Sequence, residues 1–200
     1  EVPVGERGIL VAVPPLPPGT LLTVYGDDER FVSSYFKQIP GFVYATGDYA
    51  IKDKDGYYFV LGRMDDVIKV AGHRLGTREI EEAISSHPAV AEVCTIGIED
   101  KLKGQVPVAM VVIKQDFKPT AELMEEIKAV VRKNVGAIAA LHELKFVSKL
   151  PKTRSGKIMR RVIKAIFEGK ELGDLSTIED GTSVEEIRNA LATLEEKKVE

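Results

Sequence analysis

Residues 120–134 hold the most constraining pattern in this 200-residue chain. Leu123, Ile127, Val130 and Val131 fall on one stripe of a helix that starts at Thr120, and Gly136 can end it in a left-handed turn. Apolar runs flank that helix and read as strands: 90–98 and 106–114 before it, 144–147 after it. A further short strand is expected at 67–70, followed by a helix over 77–86. Thr77 is its expected cap, with Glu79, Glu81 and Glu82 at the positive end and Pro88 beyond the last turn. Ile80, Ala83 and Ile84 share its apolar face. Ser155 is read as the cap of a last helix, with Met159, Val162, Ile163 and Ile166 as its stripe and an end near Gly169. The stretch 67–169 is thus expected to be an α+β domain, a short sheet flanked by helices, large enough to bury a modest core.

The flanks read differently. Residues 1–63 are rich in strands and loops: 8–13 is a strand candidate stopped by Pro14 and Pro15. The runs 50–52 and 57–61 flank Asp53-Lys54-Asp55-Gly56, a good hairpin signal. No convincing long amphipathic helix covers these strands, so the stretch reads as the closing piece of something larger. Residues 170–200 form a tail. Ser183 and Glu186 have capping-box spacing, and Val184, Ile187, Leu191 and Leu194 follow on one face. Such a helix must dock, either on the rest of this chain or across a dimer seam.

Composition narrows the classes. Hydrophobic residues make up 44% and charged residues 30%, a globular balance. The net charge of −3 argues against a chain built globally for nucleic acid, and one cysteine excludes a disulfide framework and a Cys-based zinc cluster. The longest apolar runs fall far short of the ~20 residues of a membrane-spanning helix. A cytoplasmic location is expected, and the absence of an initial Met suggests a piece of a longer chain.

Four clusters could carry chemistry. In Thr46-Gly47-Asp48, the Asp48 carboxylate could accept hydrogen bonds from two ribose hydroxyls; alternatively it is a turn residue satisfying its own backbone. In Gly62-Arg63-Met64-Asp65-Asp66, Arg63 offers a fork for phosphate or ribose oxygens, and the adjacent acids mark a boundary where a few dihedrals could absorb a rotation. An ordinary charged linker has the same composition. In Ala71-Gly72-His73-Arg74-Leu75-Gly76, the glycines allow close backbone approach to a ligand, and Arg74 adds a cation. The three histidines, His73, His87 and His142, stand at no metal-motif spacing.

The fourth cluster is basic. Between Glu143 and Glu168 there is no acid but eight cations: Lys145, Lys149, Lys152, Arg154, Lys157, Arg160, Arg161 and Lys164. Such a run suits a polyanionic ligand, and a phosphate- or nucleic-acid-binding module using 145–164 is one reading of it. Gly156-Lys157 is not a P-loop, because Pro151 and Ile158 stand where Gly and Ser or Thr are required. With only Phe146 and Phe167 nearby, a base-stacking platform is not expected.

Together the clusters resemble the C-terminal third of the AMP-forming acyl-CoA synthetases, within the adenylate-forming superfamily. Thr46-Gly47-Asp48, Asp53-x-Asp55-Gly56-Tyr57, Gly62-Arg63-x-Asp65-Asp66, Gly72-His73-Arg74-Leu75-Gly76-Thr77 and Pro151-Lys152-Thr153-Arg154-Ser155-Gly156-Lys157 stand in family order. The wording of the last two, with Leu172-x-x-Leu175-Ser176-Thr177-Ile178-Glu179-Asp180, is similar to the acetyl/propionyl branch. The resemblance implies a ligase of acetate or another short carboxylate, using ATP, Mg2+ and coenzyme A. It implies the end of a large N-terminal domain over 1–63, a hinge at 64–66 turning on Asp65, a mobile C-terminal domain over 67–169, and the tail. By the same resemblance Asp48, Arg63 and Arg74 bind ATP or AMP, Ala71, Gly72 and Arg132 contact CoA, and Lys157 serves adenylation. Lys157 is also an expected acetylation site, with a lysine acetyltransferase and deacetylase as partners, and His87 and Val90 mark a peripheral magnesium site. Two departures stand out: residues 136–141 lack the family's prolines, and Ala71 replaces a frequent Ser. The family's ATP loop, adenine motif and acyl pocket do not occur in these residues, so residues 1–200 alone are expected to be inactive.

Overall fold

The first strand pairs antiparallel with the second, and the second with the third: β1 (Arg7–Ala12), β2 (Tyr44–Lys52) and β3 (Tyr58–Arg63). In this computed structural model, which describes residues 1–197 and side chains through Leu191, contacts group the chain into two units, Glu1–Asp66 and Val67–Glu200.

In the first unit the expected hairpin forms. Asp53 closes its turn, its carboxylate accepting from the backbone N–H groups of Asp55 and Tyr57. The second strand begins earlier than expected. Thr46, Gly47 and Asp48 lie inside β2, not in a turn before it, and Asp48 pairs with Arg63 across the ladder. A short helix, α1 (Asp28–Tyr35), was not legible, because its eight residues are too few to display a period. Its side of the unit carries rings: Tyr35 stacks on Tyr44 at 4.9 Å, and Phe36 meets Tyr44 edge-on. Few apolar side chains of this unit are buried, while Phe42, Tyr57, Tyr58 and Phe59 are more than half exposed.

The second unit contains a five-stranded sheet in the order β5-β4-β7-β6, with β8 also on β7. These strands are β4 (Val67–Val70), β5 (His73–Gly76), β6 (Val90–Asp100), β7 (Gly104–Ile113) and β8 (Glu143–Phe146). Pairing is antiparallel except for β8, which runs parallel to β7 after a crossover through the helix Ala121–Asn134. The period-2 pattern divides the central strands between two cores. Val93, Ala109 and Val111 face α2 (Thr77–Ser85) and α3 (Ala121–Asn134), whereas Cys94, Ile96, Val108 and Met110 face α4 (Arg160–Phe167) and α5 (Thr182–Lys197). Ile80, Ile84, Ile127 and Val131 are fully buried on the first side, as the helix stripes predict. On the second side Ile163 and Ile187 are fully buried, so the tail helix packs on its own chain and belongs to the second unit. Leu194 lies outside the described side chains.

None of the three expected caps serves as one, whereas α3 is capped by Thr120, whose hydroxyl accepts from Leu123 N–H at 3.2 Å. Thr77 is a buried first-turn residue behind Gly76, Ser155 lies in a loop before α4, and Ser183 sits inside α5. Asp180, two residues before α5, accepts from Thr182 N–H at 2.9 Å, while the Ser183 hydroxyl donates to the Asp180 carbonyl.

Candidate functional site

The first group of expected site residues stands at the end of the three-stranded sheet. Thr46 is fixed by donating from its hydroxyl to the Leu10 carbonyl at 2.9 Å, and in turn accepts from Asp48 N–H at 3.2 Å. Cross-strand pairing brings Arg63 opposite the half-buried Asp48, and the Arg63 guanidinium lies against Gly47, where an added Cβ would sit 3.4 Å from it. The Arg63 fork already has an occupant. Nε donates to Asp65 Oδ1 at 2.9 Å and NH2 to Oδ2 at 3.2 Å. This bidentate bond holds the Asp65 carboxyl below its ordinary range and raises Arg63, with Asp65, Asp48 and Asp66 adding Coulombic support to the cation. Thr46, Gly47, Arg63 and Asp65, with Tyr35 and Gln38, line a concavity of about 290 Å³. Sequence reasoning treated Arg63 and Asp65 separately. Their opposite charges stand two residues apart where β3 ends and the chain turns, and that short spacing is the signal that could have paired them.

The second group is the β4–β5 hairpin. Val70 pairs with His73, leaving Ala71-Gly72 as a two-residue turn with φ of +47° and +85°. Positive φ at both positions is the twist-matched hairpin geometry, and Ala71 adopts it despite its Cβ. Ala71 N–H donates to the Lys103 carbonyl at 2.8 Å, tying this tip to the β6–β7 turn. Arg74 is exposed and pairs in register with Lys69.

Lys157 is carried on a tight loop. Lys152 and Ile158 form an antiparallel bridge, Thr153 and Lys157 are joined by a 2.8 Å backbone bond, and Gly156 turns the chain at φ +81°. The Thr153 hydroxyl accepts from Lys157 N–H at 3.2 Å. The Lys157 side chain is exposed. Most of the basic run around it is engaged. Lys145 pairs with Glu143, Lys149 with Asp180, Lys152 with Glu92, Arg160 with Glu81 and Lys164 with Glu168, while Arg161 donates to the Leu172 and Asp174 carbonyls. Among the described residues, Lys157 and Arg154 alone of the eight form no ion pair or side-chain hydrogen bond. Contiguity in sequence therefore does not become a contiguous cationic face. Phe146 and Phe167 pack against the cores.

Two sites lie elsewhere on the second unit. Arg132, in the last turn of α3, lines a concavity of about 340 Å³ with Lys128, Lys133 and Leu141. The proline-less segment beside it folds into a single 3-10 turn, Ala137–Ala139, anchored by the fully buried Ala139. His87 is mostly buried, its Nε2 3.5 Å from Glu126, and its carbonyl accepts from Val90 N–H. This set does not suit Mg2+, which takes about six hard oxygens. The Lys114 ammonium already sits 2.7 Å from the Pro88 carbonyl, and among the described residues no group of three or more His, Cys, Asp or Glu could hold a metal.

A model of the AMP-binding enzyme C-terminal domain matches residues 79–157. Over 96% of its length the chain is 55% identical to an acetyl-coenzyme A synthetase of Pyrobaculum arsenaticum, covering 28% of that protein. It is 53% identical to a propionate–CoA ligase of Escherichia coli over 94% of its length, covering 31% of that protein. The chain belongs to the AMP-forming acyl-CoA synthetase family.

It spans about three-tenths of the length of these two relatives. The fold of this synthetase segment agrees with solved structures. An ATP-bound RpMatB-BxBclM chimera superposes with a TM-score of 0.72 at 27% identity, over 84% of this chain and 32% of the other. Acetoacetyl-CoA synthetase from Streptomyces lividans shares the fold, with a TM-score of 0.79 at 22% identity over 96% of this chain and 29% of that one. Among the described residues of the synthetase segment, no helix is long and apolar enough to cross a membrane. One feature had no signal in the sequence: the contacts between the Lys157 loop and the tail, which join residues more than twenty positions apart.

Proposed function

We propose that the protein carrying this chain activates a short carboxylate with ATP and transfers the acyl group to coenzyme A. The observation that carries this reading is the identity of more than half over nearly the whole chain with enzymes named for acetyl and propionyl substrates. In the first half-reaction a carboxylate oxygen attacks the α-phosphorus of ATP, which enters as its magnesium complex, and the bond to pyrophosphate breaks. In the second, the CoA sulfur attacks the acyl carbon, the bond to the AMP oxygen breaks, and the thiol proton is released.

The residues divide accordingly. The Asp48 carboxylate accepts from the ribose hydroxyls. Arg63 serves the nucleotide after exchanging Asp65 for a ligand oxygen, an exchange between two anionic partners of one fork. Arg74 faces phosphate, the Ala71-Gly72 turn offers close backbone approach to CoA, and Arg132 meets a CoA phosphate. Lys157 neutralises charge that grows on the carboxylate and α-phosphate oxygens. A flexible ammonium with no carboxylate partner of its own is suited to a transient charge, and exclusion of water strengthens the effect. Asp65, next to the unit boundary, is the hinge about which the second unit changes orientation between half-reactions. Acetylation of Lys157 by a lysine acetyltransferase removes the charge that adenylation uses, and a deacetylase restores it. Residues 1–200 alone do not adenylate, because the ATP loop and acyl pocket belong to the remaining length of the relatives. The enzyme is placed in the cytoplasm.

The test is acyl-dependent ATP–pyrophosphate exchange by the full-length enzyme across acetate, propionate and longer carboxylates. Exchange with the two short acids, followed by AMP release on adding CoA, is expected. No exchange with any short acid, or exchange insensitive to the acid, would contradict the reading.

A further inference from the structure

The tail does more than pack against the core. From α4 the chain returns to the Lys157 loop and pairs with it along its outer edge. Thr153 and Ile178 form an antiparallel bridge, Arg154 N–H donates to the Thr177 carbonyl at 3.0 Å, and Glu179 N–H donates to the Lys152 carbonyl at 2.9 Å. These bonds fall on three successive residues of the loop. With the Lys152–Ile158 bridge they make a small three-stranded patch outside the main sheet. Its far end is pinned twice more. The Lys149 ammonium bonds the Asp180 carboxylate at 2.5 Å and also the Thr182 hydroxyl, and Ser148 N–H donates to Glu186 on α5 at 3.0 Å. The tail helix that supplies these partners is itself anchored by the fully buried Ile187.

We propose that residues 177–180 are a positioning clamp for Lys157, holding its loop in the one backbone geometry from which the ammonium serves adenylation. The inference rests on the role given to Lys157 above. Its physical basis is that the loop's internal bonds join only its own two arms, whereas the added strand ties those arms to the tail and so fixes where the whole loop sits. A long side chain amplifies any displacement of its Cα, and a misplacement of about 1 Å can cost a hundredfold in rate. The clamp acts on the first half-reaction only, since Lys157 has no part in the second.

Glu179→Pro tests it, because proline deletes the N–H that bonds Lys152 while Ile178 keeps the extended conformation favoured before proline. Glu179→Ala keeps the N–H and is the control. In the full-length enzyme, Glu179→Pro is expected to lower adenylation, read by pyrophosphate exchange, by about tenfold to a hundredfold through kcat. Thioester formation from supplied acyl-adenylate should stay within about twofold, which also reports intact folding, and Glu179→Ala should match wild type in both. In a Lys157→Ala background, Glu179→Pro should cause no further loss, because both changes remove the same ammonium from the same place. Equal effects of Glu179→Pro and Glu179→Ala, equal loss in both half-reactions, or an additive loss on Lys157→Ala would overturn the clamp. If Lys157→Ala alone leaves adenylation intact, the role of Lys157 fails and the clamp with it, and that result is separable from the others by the single variant.

Discussion

At the residue scale, the chemistry in this chain is decided by who already holds each charged group. Six of the eight cations between Lys145 and Lys164 are engaged by carboxylates or carbonyls, those of Lys149, Lys152 and Arg160 coming from distant parts of the chain, and Lys157 is left open with Arg154. The Lys149–Asp180 pair shows how such a contact registers in pH. The Asp180 carboxyl is lowered to about 2 from an ordinary 3.8, first by the Lys149 hydrogen bond and then by the Thr182 N–H and hydroxyl. A folded-state value below the unfolded one means the stabilisation is fully present above roughly pH 4 and is lost as pH falls towards about 2. Wild type should therefore exceed Asp180→Asn in urea resistance at pH 5, and the gap should close by pH 2.5. A gap that stays constant between those two pH values would show that Asp180 contributes through something other than its charge. The Asp48 and Arg63 pairing was not legible at this scale, because a sequence read residue by residue does not reveal the register that puts them opposite each other.

At the element scale, periodicity was the reliable guide and capping chemistry was not. The stripes on α2, α3 and α4, and the long runs that became β6 and β7, all point inward as their spacing requires. Short elements leave little signal: β5 has four residues and looks in sequence like a glycine loop, and α1 has eight. Capping failed for a specific reason. A Ser or Thr before an apolar run is a cap only if the chain turns into the helix there, and tertiary pairing decided that instead. Ser155 is held in the Lys157 loop, hydrogen-bonded to Thr153 at 3.0 Å. Thr120→Ala should cost about 1 kcal/mol in chemical denaturation, because it orphans the Leu123 N–H. Ser155→Ala should stay within about 0.5 kcal/mol, the usual range for exposed substitutions. Reversal of that order would mean the helix starts are assigned to the wrong residues.

At the scale of the whole molecule, the sequence already carried the family and the general architecture, since five short motifs in order constrain far more than any one of them. The three-stranded first unit and the two-sided sheet of the second follow from runs and stripes that are visible before folding. What had to be seen was the non-local pairing, in which the tail belongs to the second unit and pairs with the Lys157 loop. The unit boundary falls after Asp66, beside the proposed hinge residue, and Asp65→Pro in the full-length enzyme fixes φ there and removes the partner of Arg63. It should depress one half-reaction at least tenfold more than the other, whereas equal depression would argue that residue 65 is not a pivot. The central claim is narrower: that Lys157 acts in adenylation and not in thioester formation. Pyrophosphate exchange and thioester formation from supplied acyl-adenylate, measured side by side on full-length Lys157→Ala, test it most directly. Exchange should fall by two orders of magnitude or more, about the weight of one electrostatic donor in such a site, while thioester formation stays close to wild type. Comparable damage to both, or exchange that survives, would contradict it.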